Sequence, residues 1–483
     1  MDNNLKEKTY NALKWSSLAE ILAKLVTPVV NMILARLLTP ETFGVVATVT
    51  MVISFADMFS DSGFQKFLIQ YDFKDKKALY KSATVAFTTN LLISIFLWGI
   101  IACFNSQIAS FVGNPGKGIV IVVAGISLPL TSFSSIQSAI YRRKFDFKTI
   151  FVARIAMAIS PLIITVPLAV LGFQYWSIIA GNICGNLFTA IILTVKSEWK
   201  PRLLFDLVEL KRMFSFSMWS LVESLGTWLT SYVGTFIVGN LLNQYYLGLY
   251  KTTVTTVNGI FALVTSATTT VLFSMLSRLQ NNKDEYNRAY LRFIKAVSIL
   301  IIPLGFGIFI YRDLVTKILL GSQWLEAIPF VRIYGLMSCL ALVYGQYASE
   351  YYRGLGKPKA SVLTTVIHLA ALIPVLIICA RQGFLPLVYG RSLVKIEQIA
   401  AFWIVLWIWF RFNPFQLISY TYKSIICSII MAVAGFFMLR VSTNIIFEIF
   451  SACICIVIYF VLYGLVFRGK NDLKAVAKML KRK

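Results

Sequence analysis

The chain has 483 residues, 58% of them hydrophobic and 14% charged, with a mean hydropathy of +0.74 and a formal net charge of +25. A soluble chain of this length would carry about 25% charged residues, and here apolar stretches long enough to cross a ~30 Å hydrocarbon core recur from one end to the other. A soluble globular protein is thereby excluded, and the excess of cations reads as positive-inside bias rather than as a nucleic-acid surface.

The chain opens on "MDNNLKEKTYNALKW", which is polar and basic and lacks a short apolar core before a small-residue cleavage site. The expectation is a retained first span rather than a removable signal peptide. In lipid every backbone amide must be satisfied within the segment, and continuous apolar runs select helices over a barrel. The fold class expected is an all-α polytopic membrane protein. Fourteen spans are predicted, near 12–37, 42–69, 80–104, 118–140, 148–171, 174–195, 212–240, 246–276, 289–310, 327–351, 360–381, 384–410, 420–440 and 444–467.

An even count puts both termini on one side. The termini and the loops after the even-numbered spans, such as "KDKKALYK", "YRRKFDFK" and "KSEWKPR", hold roughly 34 of the 46 Lys+Arg, so both termini are expected in the cytoplasm. The intervening loops are nearly bare, "GFQYW" being uncharged. In the tail, Leu473, Val476, Ala477 and Leu480 share a helical face opposite lysines, which reads either as a short helix on anionic lipid or as a solvated basic tail. The seven cysteines lie in apolar segments without metal-ligand spacing and are expected to be small buried hydrophobes.

A shift of 204 residues lays "WSSL" on "WSLV" and "RLLTPETFGVV" on "NLLNQYYLGLY", so that Leu37, Leu38 and Gly44 meet Leu241, Leu242 and Gly248. One gapless offset maps spans 1–6 onto spans 7–12. Parallel repeats imply two six-helix lobes related by a pseudo-twofold along the membrane normal. The expected organisation is an N-terminal lobe over 1–200, a C-terminal lobe over 201–411, spans 13 and 14 over 412–467 and a basic cytoplasmic tail over 468–483.

Polar stripes run inside four spans. Span 1 carries Ser17, Glu20, Lys24, Thr27 and Asn31; span 2 carries Thr50, Ser54, Asp57, Asp61 and Gln65. Steps of three and four place each set on one helix face. A charge at the bilayer centre costs ~2.5–3.5 kcal/mol or more, so these faces must meet another helix or water. Span 7 repeats the theme with Ser217, Ser220, Ser224, Thr227, Ser231 and Thr235. Span 12 adds Arg391, Lys395 and Gln398, whose two cations repel unless an anion or water lies between them. Together the stripes read as the wall of a net-cationic, water-filled cavity between the lobes. The candidate cavity residues are Lys24, Asn31, Asp57, Asp61, Gln65, Ser224, Arg391, Lys395 and Gln398; those for ion coupling are Asp57, Asp61 and Glu20.

Other readings stay open for these residues. Ser and Thr stripes also serve helix packing, and the two aspartates either pair with a neighbouring cation or couple an ion. His368, beside Thr364 and Thr365, reads as a satisfied packing residue, while Arg36 and Arg332 read as snorkelling cations near the outer boundary. At the hairpin, Thr39 is expected to cap, Pro40 to take the first helical position and Glu41 to favour the positive helix end. Prolines within spans, such as Pro161 and Pro303, permit kinks. There is no phosphate loop, nucleophile elbow or paired-carboxylate loop, so no enzyme and no cofactor is expected. Energy would come from a coupling ion, H+ or Na+, or from the substrate gradient.

The segment "ARLLTPETFGVVATV" resembles the signature of bacterial polysaccharide and O-antigen flippases of the multidrug/oligosaccharidyl-lipid/polysaccharide exporter superfamily. The segments "YRRKFDFKTI", "KPRLLFDLVELKRMFSFS", "GSQWLEAIPFVRIYGL" and "YYRGLGKPKASV" are similar to that family in order and spacing, to about residue 365. The resemblance implies two six-helix lobes plus two extra helices, and an undecaprenyl-pyrophosphate-linked oligosaccharide as the substrate, moved to the outer leaflet of the cytoplasmic membrane. It also implies glycan polymerase and glycosyltransferase partners and no nucleic acid. No site residue is transferred through it. Pyrophosphate and sugar hydroxyls do not cross hydrocarbon unaided, which agrees with a cationic, hydroxyl-rich cavity. The alternatives are a multidrug-type small-molecule antiporter, which calls for anionic cavity residues, and a glycan polymerase or ligase, which calls for a larger outer loop.

Overall fold

The computed structural model describes residues 15, 26–61, 63–442, 444–467, 469 and 471–473. The chain divides into two compact units, Met1–Lys251 and Thr252–Lys483. Among the described residues all regular structure is helical.

In the N-terminal unit, α1 (Val26–Leu37) leads to the hairpin. Thr39 Oγ1 accepts from the Thr42 N–H at 3.4 Å, and Pro40 opens α2 (Pro40–Asp61). The second span was expected to run unbroken to 69. It stops instead at Asp61, because Gly63 takes a left-handed φ of 77°, and α3 (Phe64–Gln70) begins anew. Phe64, Phe67 and Leu68 turn the buried face of α3 into a core with Phe87, Ile136, Trp199 and Met213. Gln65 and Lys66 fall on its other side.

Next come α4 (Lys76–Cys103), capped by Asp75, and the short α5 (Asn105–Phe111). α6 (Gly118–Ala124) and α7 (Ser127–Arg143) together make one span. α8 (Phe147–Ser160) continues through a π-turn at Pro161–Thr165 into α9 (Val166–Val170). That turn sits where Pro161 and Pro167 remove backbone donors. α10 (Tyr175–Lys196) is followed by an extended segment and then α11 (Leu207–Leu241), capped by Asp206.

The extended segment is fastened to α4. Trp199 Nε1 donates to Thr84 Oγ1 at 3.1 Å, and the Leu204 N–H donates to Thr88 Oγ1 at 2.9 Å. Lys144 pairs with Glu198 at 2.7 Å and Lys81 with Asp206 at 2.6 Å. The hydrogen bonds from Lys144 and from the Tyr80 hydroxyl hold the Glu198 carboxyl below its usual range.

α12 (Gln244–Ser277) starts against the first turn of α2. A Cβ on Gly44 would collide with the Gln244 carbonyl oxygen, and one on Gly248 would collide with that of Pro40. Both pairs are related by the 204-residue shift. The contact is therefore reciprocal and gives the two helix starts a local two-fold relation. Asn114 Nδ2 reaches Thr48 Oγ1 at 2.9 Å beside it, and the Gln244 side chain donates to the Gly113 carbonyl.

The C-terminal unit contains the rest of α12, α13 (Lys283–Ile310), α14 (Arg312–Leu319) and α15 (Ile328–Ala341). A π-turn at Leu342–Gln346 leads into α16 (Tyr347–Gly354), and α17 (Lys359–Arg381), α18 (Phe384–Phe410), α19 (Phe415–Leu439) and α20 (Ile445–Val461) follow. Tyr286, Tyr351 and Tyr352 form a buried aromatic knot whose hydroxyls donate to Tyr351 O, Asn287 Oδ1 and Phe402 O at 2.6, 2.6 and 2.9 Å. Such satisfied phenols combine large apolar burial with no stranded polar group. The last two helices join this unit through α13: Tyr459 donates to Ile299 O at 3.0 Å, and Ser298 meets Ser424 at 3.2 Å.

A helix stands at each of the fourteen expected spans. Among the described residues, 11 are long and apolar enough to cross a membrane, and the pair Gln244–Ser266 and Thr268–Ser277, bent by 42°, makes up to 12. The first expected span is described only over Val26–Leu37, and the seventh is the 35-residue α11. Most of the face of the last span is left for lipid, with 22% of it buried. Not every cysteine is interior: Cys339, Cys427 and Cys455 are buried, while Cys103 and Cys453 are exposed on such outer faces. Of the tail helix, Val476, Ala477 and Leu480 lie outside the described residues.

Candidate functional site

Four elements of the N-terminal unit, α2, α3, α7 and α11, enclose a cavity of about 560 Å³. Asp57, Gln65, Lys66, Arg142, Ser224 and Trp228 line it. Asp57, in the last turn and a half of α2, accepts from Thr131 Oγ1 on α7 at 2.7 Å. Gln65 Nε2 donates to Ser135 Oγ at 2.8 Å, so a second bond ties the α2–α3 break to α7. Trp228 Nε1 donates to Ser54 Oγ at 3.1 Å, and its ring packs against Phe55 and Tyr232 with centroids 4.8 and 5.5 Å away. Among the described lining residues, two cations face one carboxylate. The arrangement offers fixed positive charge, one carboxylate, hydroxyls and an aromatic platform inside an otherwise apolar bundle.

Three sequence candidates thus meet in one cavity: Asp57, Gln65 and Ser224. Thr227 and Ser231 of the span 7 stripe join them, while Thr235 is buried at 1% exposure. Asp61 ends α2, and its side chain is outside the description. Glu20 and Lys24 lie outside the described residues, and Asn31 is exposed on α1. Gln65 reaches the cavity although the continuous helix face that nominated it is broken at Gly63. Arg142 escaped the sequence reading because it sits in the loop "YRRKFDFK", where it was counted as cytoplasmic charge, and Lys66, near the end of the second span, was not singled out.

Arg391, Lys395 and Gln398 lie on α18 in the C-terminal unit. The two cations were expected to need an anion or water between them. The Arg391 guanidinium lies 5.4 Å and the Lys395 ammonium 4.8 Å from the Tyr334 ring centroid. A tyrosine face attracts cations through its quadrupole. The Tyr334 hydroxyl donates to Asn258 Oδ1 at 3.4 Å. His368 has a specific partner, Glu397, with Nδ1 3.0 Å from Oε2. That glutamate was not singled out, since it lies off the face that carries Arg391 and Lys395. Arg332 covers the Phe309 ring at 4.4 Å, and Arg36 donates to its own helix at Met32 O.

Comparison with known proteins gives this geometry a context. Residues 33–329 match the family model described as polysaccharide biosynthesis protein. The chain is 23% identical over 325 residues to the succinoglycan biosynthesis transport protein ExoT of Rhizobium meliloti, covering 67% of this chain and 65% of that protein, just under two-thirds of its length. It is 20% identical to the lipopolysaccharide biosynthesis protein WzxC of Escherichia coli, over 81% of this chain and 80% of the other. It is 21% identical to the teichuronic acid biosynthesis protein TuaB of Bacillus subtilis, over 84% and 80%. Among solved structures, the lipid II flippase MurJ in an inward closed conformation superimposes with a TM-score of 0.74 at 15% identity, covering 94% of this chain and 98% of that one. An inward-facing multidrug resistance MATE transporter of the MOP superfamily gives 0.57 at 14%, covering 84% and 99%. The fold is that of the MOP transporters, and the chain, a multi-pass bacterial membrane protein, belongs to the polysaccharide biosynthesis protein family.

Proposed function

We propose that the chain is a flippase that carries a lipid-linked oligosaccharide from the cytoplasmic to the outer leaflet of the cytoplasmic membrane, with both termini in the cytoplasm. The observation that carries this reading is a charged, hydroxyl-rich cavity inside a transporter fold of this family. Relatives named for succinoglycan transport, lipopolysaccharide biosynthesis and teichuronic acid biosynthesis support an envelope glycan as the cargo. A polar head group needs such a cavity because pyrophosphate and sugar hydroxyls lose their water in hydrocarbon. The polyprenyl chain needs none and stays in lipid.

In this reading two six-helix lobes, 1–200 and 201–411, work by alternating access, with 412–467 as an accessory pair of helices. Lys24, Asn31, Gln65, Ser224, Arg391, Lys395 and Gln398 contact an undecaprenyl-pyrophosphate head group and its sugars. Asp57, Asp61 and Glu20 couple H+ or Na+, and a glycan polymerase and glycosyltransferases act before and after transport. The deciding experiment deletes the protein from its host and identifies the lipid-linked intermediate that collects on the cytoplasmic leaflet. Unchanged surface glycan in the deletion strain overturns the reading. Retention of full export by Lys24→Ala, Arg391→Ala and Lys395→Ala, each at matched expression, overturns the cationic part of it.

A further inference from the structure

A second pocket of about 190 Å³ opens beside the first, sharing Asp57, Gln65 and Arg142 with it. It runs between α4, α7 and α10, and its remaining wall is polar: Asn90, Thr131, Ser134 and Thr189 all line it. We propose that this pocket is the sugar-reading subsite of the transporter and takes one pyranose ring of the glycan, separately from the phosphate-bearing head group. The inference rests on the flippase reading for the source of that ring.

The chemistry of the wall selects hydroxyl donors. Asn90 is 1% exposed, and its Oδ1 has no hydrogen-bond partner. A buried acceptor left open in this way has lost its water without replacement, a cost that a ligand donor recovers. Thr131, Ser134 and Thr189 each commit their hydroxyl proton within the protein, to Asp57 or Leu128 O, to Thr131 O and to Gly185 O at 2.7–3.0 Å. Only their lone pairs are left for the pocket. With the Asp57 carboxylate, that makes an acceptor-rich wall.

The same wall also carries donors, the Arg142 guanidinium and the side-chain amides of Asn90 and Gln65, so it suits a sugar hydroxyl, which both donates and accepts, better than pyrophosphate, which only accepts. A bare cation would also suit acceptors. However, the Arg142 guanidinium repels it, and the space holds roughly six waters' worth of volume at ~30 Å³ each, the scale of a ring rather than of an ion. Trp228, in the adjoining cavity, offers the next sugar an apolar face.

The test has two arms. Surface glycan is measured in a deletion strain complemented with wild type, which checks the flippase reading alone. Purified full-length wild type and the variants Asn90→Leu, Asn90→Asp and Thr189→Val, in nanodiscs, are then titrated with methyl glucoside, galactoside, mannoside and N-acetylglucosaminide, with sodium chloride and with inorganic pyrophosphate. Saturation-transfer NMR and Trp fluorescence report binding.

The expected result is saturable binding of at least one pyranoside, weakened fivefold or more in Asn90→Leu and Thr189→Val, and kept in Asn90→Asp, which preserves the acceptor. Pyrophosphate binding is expected to be unchanged in all three. The inference is overturned if no pyranoside saturates the wild type, if Asn90→Leu and Thr189→Val bind it as wild type does, or if only sodium responds to the substitutions. All of these outcomes leave wild-type export, and with it the flippase reading, intact.

Discussion

Replacing Gly44 by alanine adds one methyl group to α2, directly against the backbone of Gln244. Its carbon would lie 2.8 Å from the Gln244 carbonyl carbon, and the mirror change at Gly248 puts one 2.6 Å from the carbonyl carbon of Pro40, where ordinary contact begins at 3.4 Å. The obstacle is backbone on both sides, so no side chain can swing away and the helix starts must part. Overpacking of this kind costs typically 1–3 kcal/mol. Alanine is the better helix former by about 1 kcal/mol, so a net loss would appear despite a favourable propensity change.

The two contacts belong to one reciprocal seam. Once the first methyl has spread the helices, the second meets a partly opened gap, and contacting sites of this kind couple by ~0.5–3 kcal/mol. Thermal unfolding of detergent-purified wild type, Gly44→Ala, Gly248→Ala and the double variant measures this. Each single variant is expected to melt below wild type, and the double variant at a loss clearly smaller than the sum. Equal melting of all four, or strictly additive losses, would refute the seam.

Asp57→Asn keeps an acceptor for Thr131 but removes the charge, and is expected to lower surface glycan tenfold or more at wild-type protein levels; full export would leave Asp57 a packing residue. Arg142→Ala is expected to impair export more than Arg142→Lys in the same assay, because the charge and not the fork is what the cavity holds; equal effects argue against this. A double-mutant cycle on His368→Ala and Glu397→Ala is expected to return a coupling of ~0.5–3 kcal/mol in unfolding, and additivity would dissolve the pair. The folded-state pKa of Glu198 is depressed by Lys144 and Tyr80. Its ion pair therefore contributes stability above the ordinary carboxylate value of 4.5, and that stability is lost as the pH falls through the lower folded value. Amide exchange at Trp199–Leu204 is expected to quicken in that acid window and to be pH-independent of this group in Glu198→Gln.

Apolar runs made the helices legible: a helix stands at each expected span, the first described only over Val26–Leu37, and the spacing of Asp57 and Ser224 put both on the faces that now border one cavity. Where the sequence reading stopped, a physical reason is visible. The break at Gly63 was hidden because a glycine in an apolar run marks a turn only when its φ is known. Gln65 was nominated by a helix that does not exist and reaches the cavity through α3. Arg142 looked like sidedness charge, since position along the chain does not tell whether a cation at a span end points to water or inward. Asn90 carries no charge and sits among Ser82, Thr84, Thr88, Thr89 and Ser94; that run of polar residues in span 3 was the available signal. Glu397 required the tertiary neighbour His368, which lies 29 residues away on α17.

The segment that joins α10 to α11 has the composition of slack, with a proline, two cations and no regular structure. Yet its backbone is stitched to Thr88, its indole is buried under Thr84, and an ion pair closes each end. A connector bound along its length transmits displacement instead of absorbing it. Movement of α11 is thereby mechanically shared with α4, and a reporter or protease site inserted at Pro201 would unfasten a working joint. For split or tagged versions of the protein, the seemingly idle stretch between Ser197 and Asp206 is the wrong place to cut.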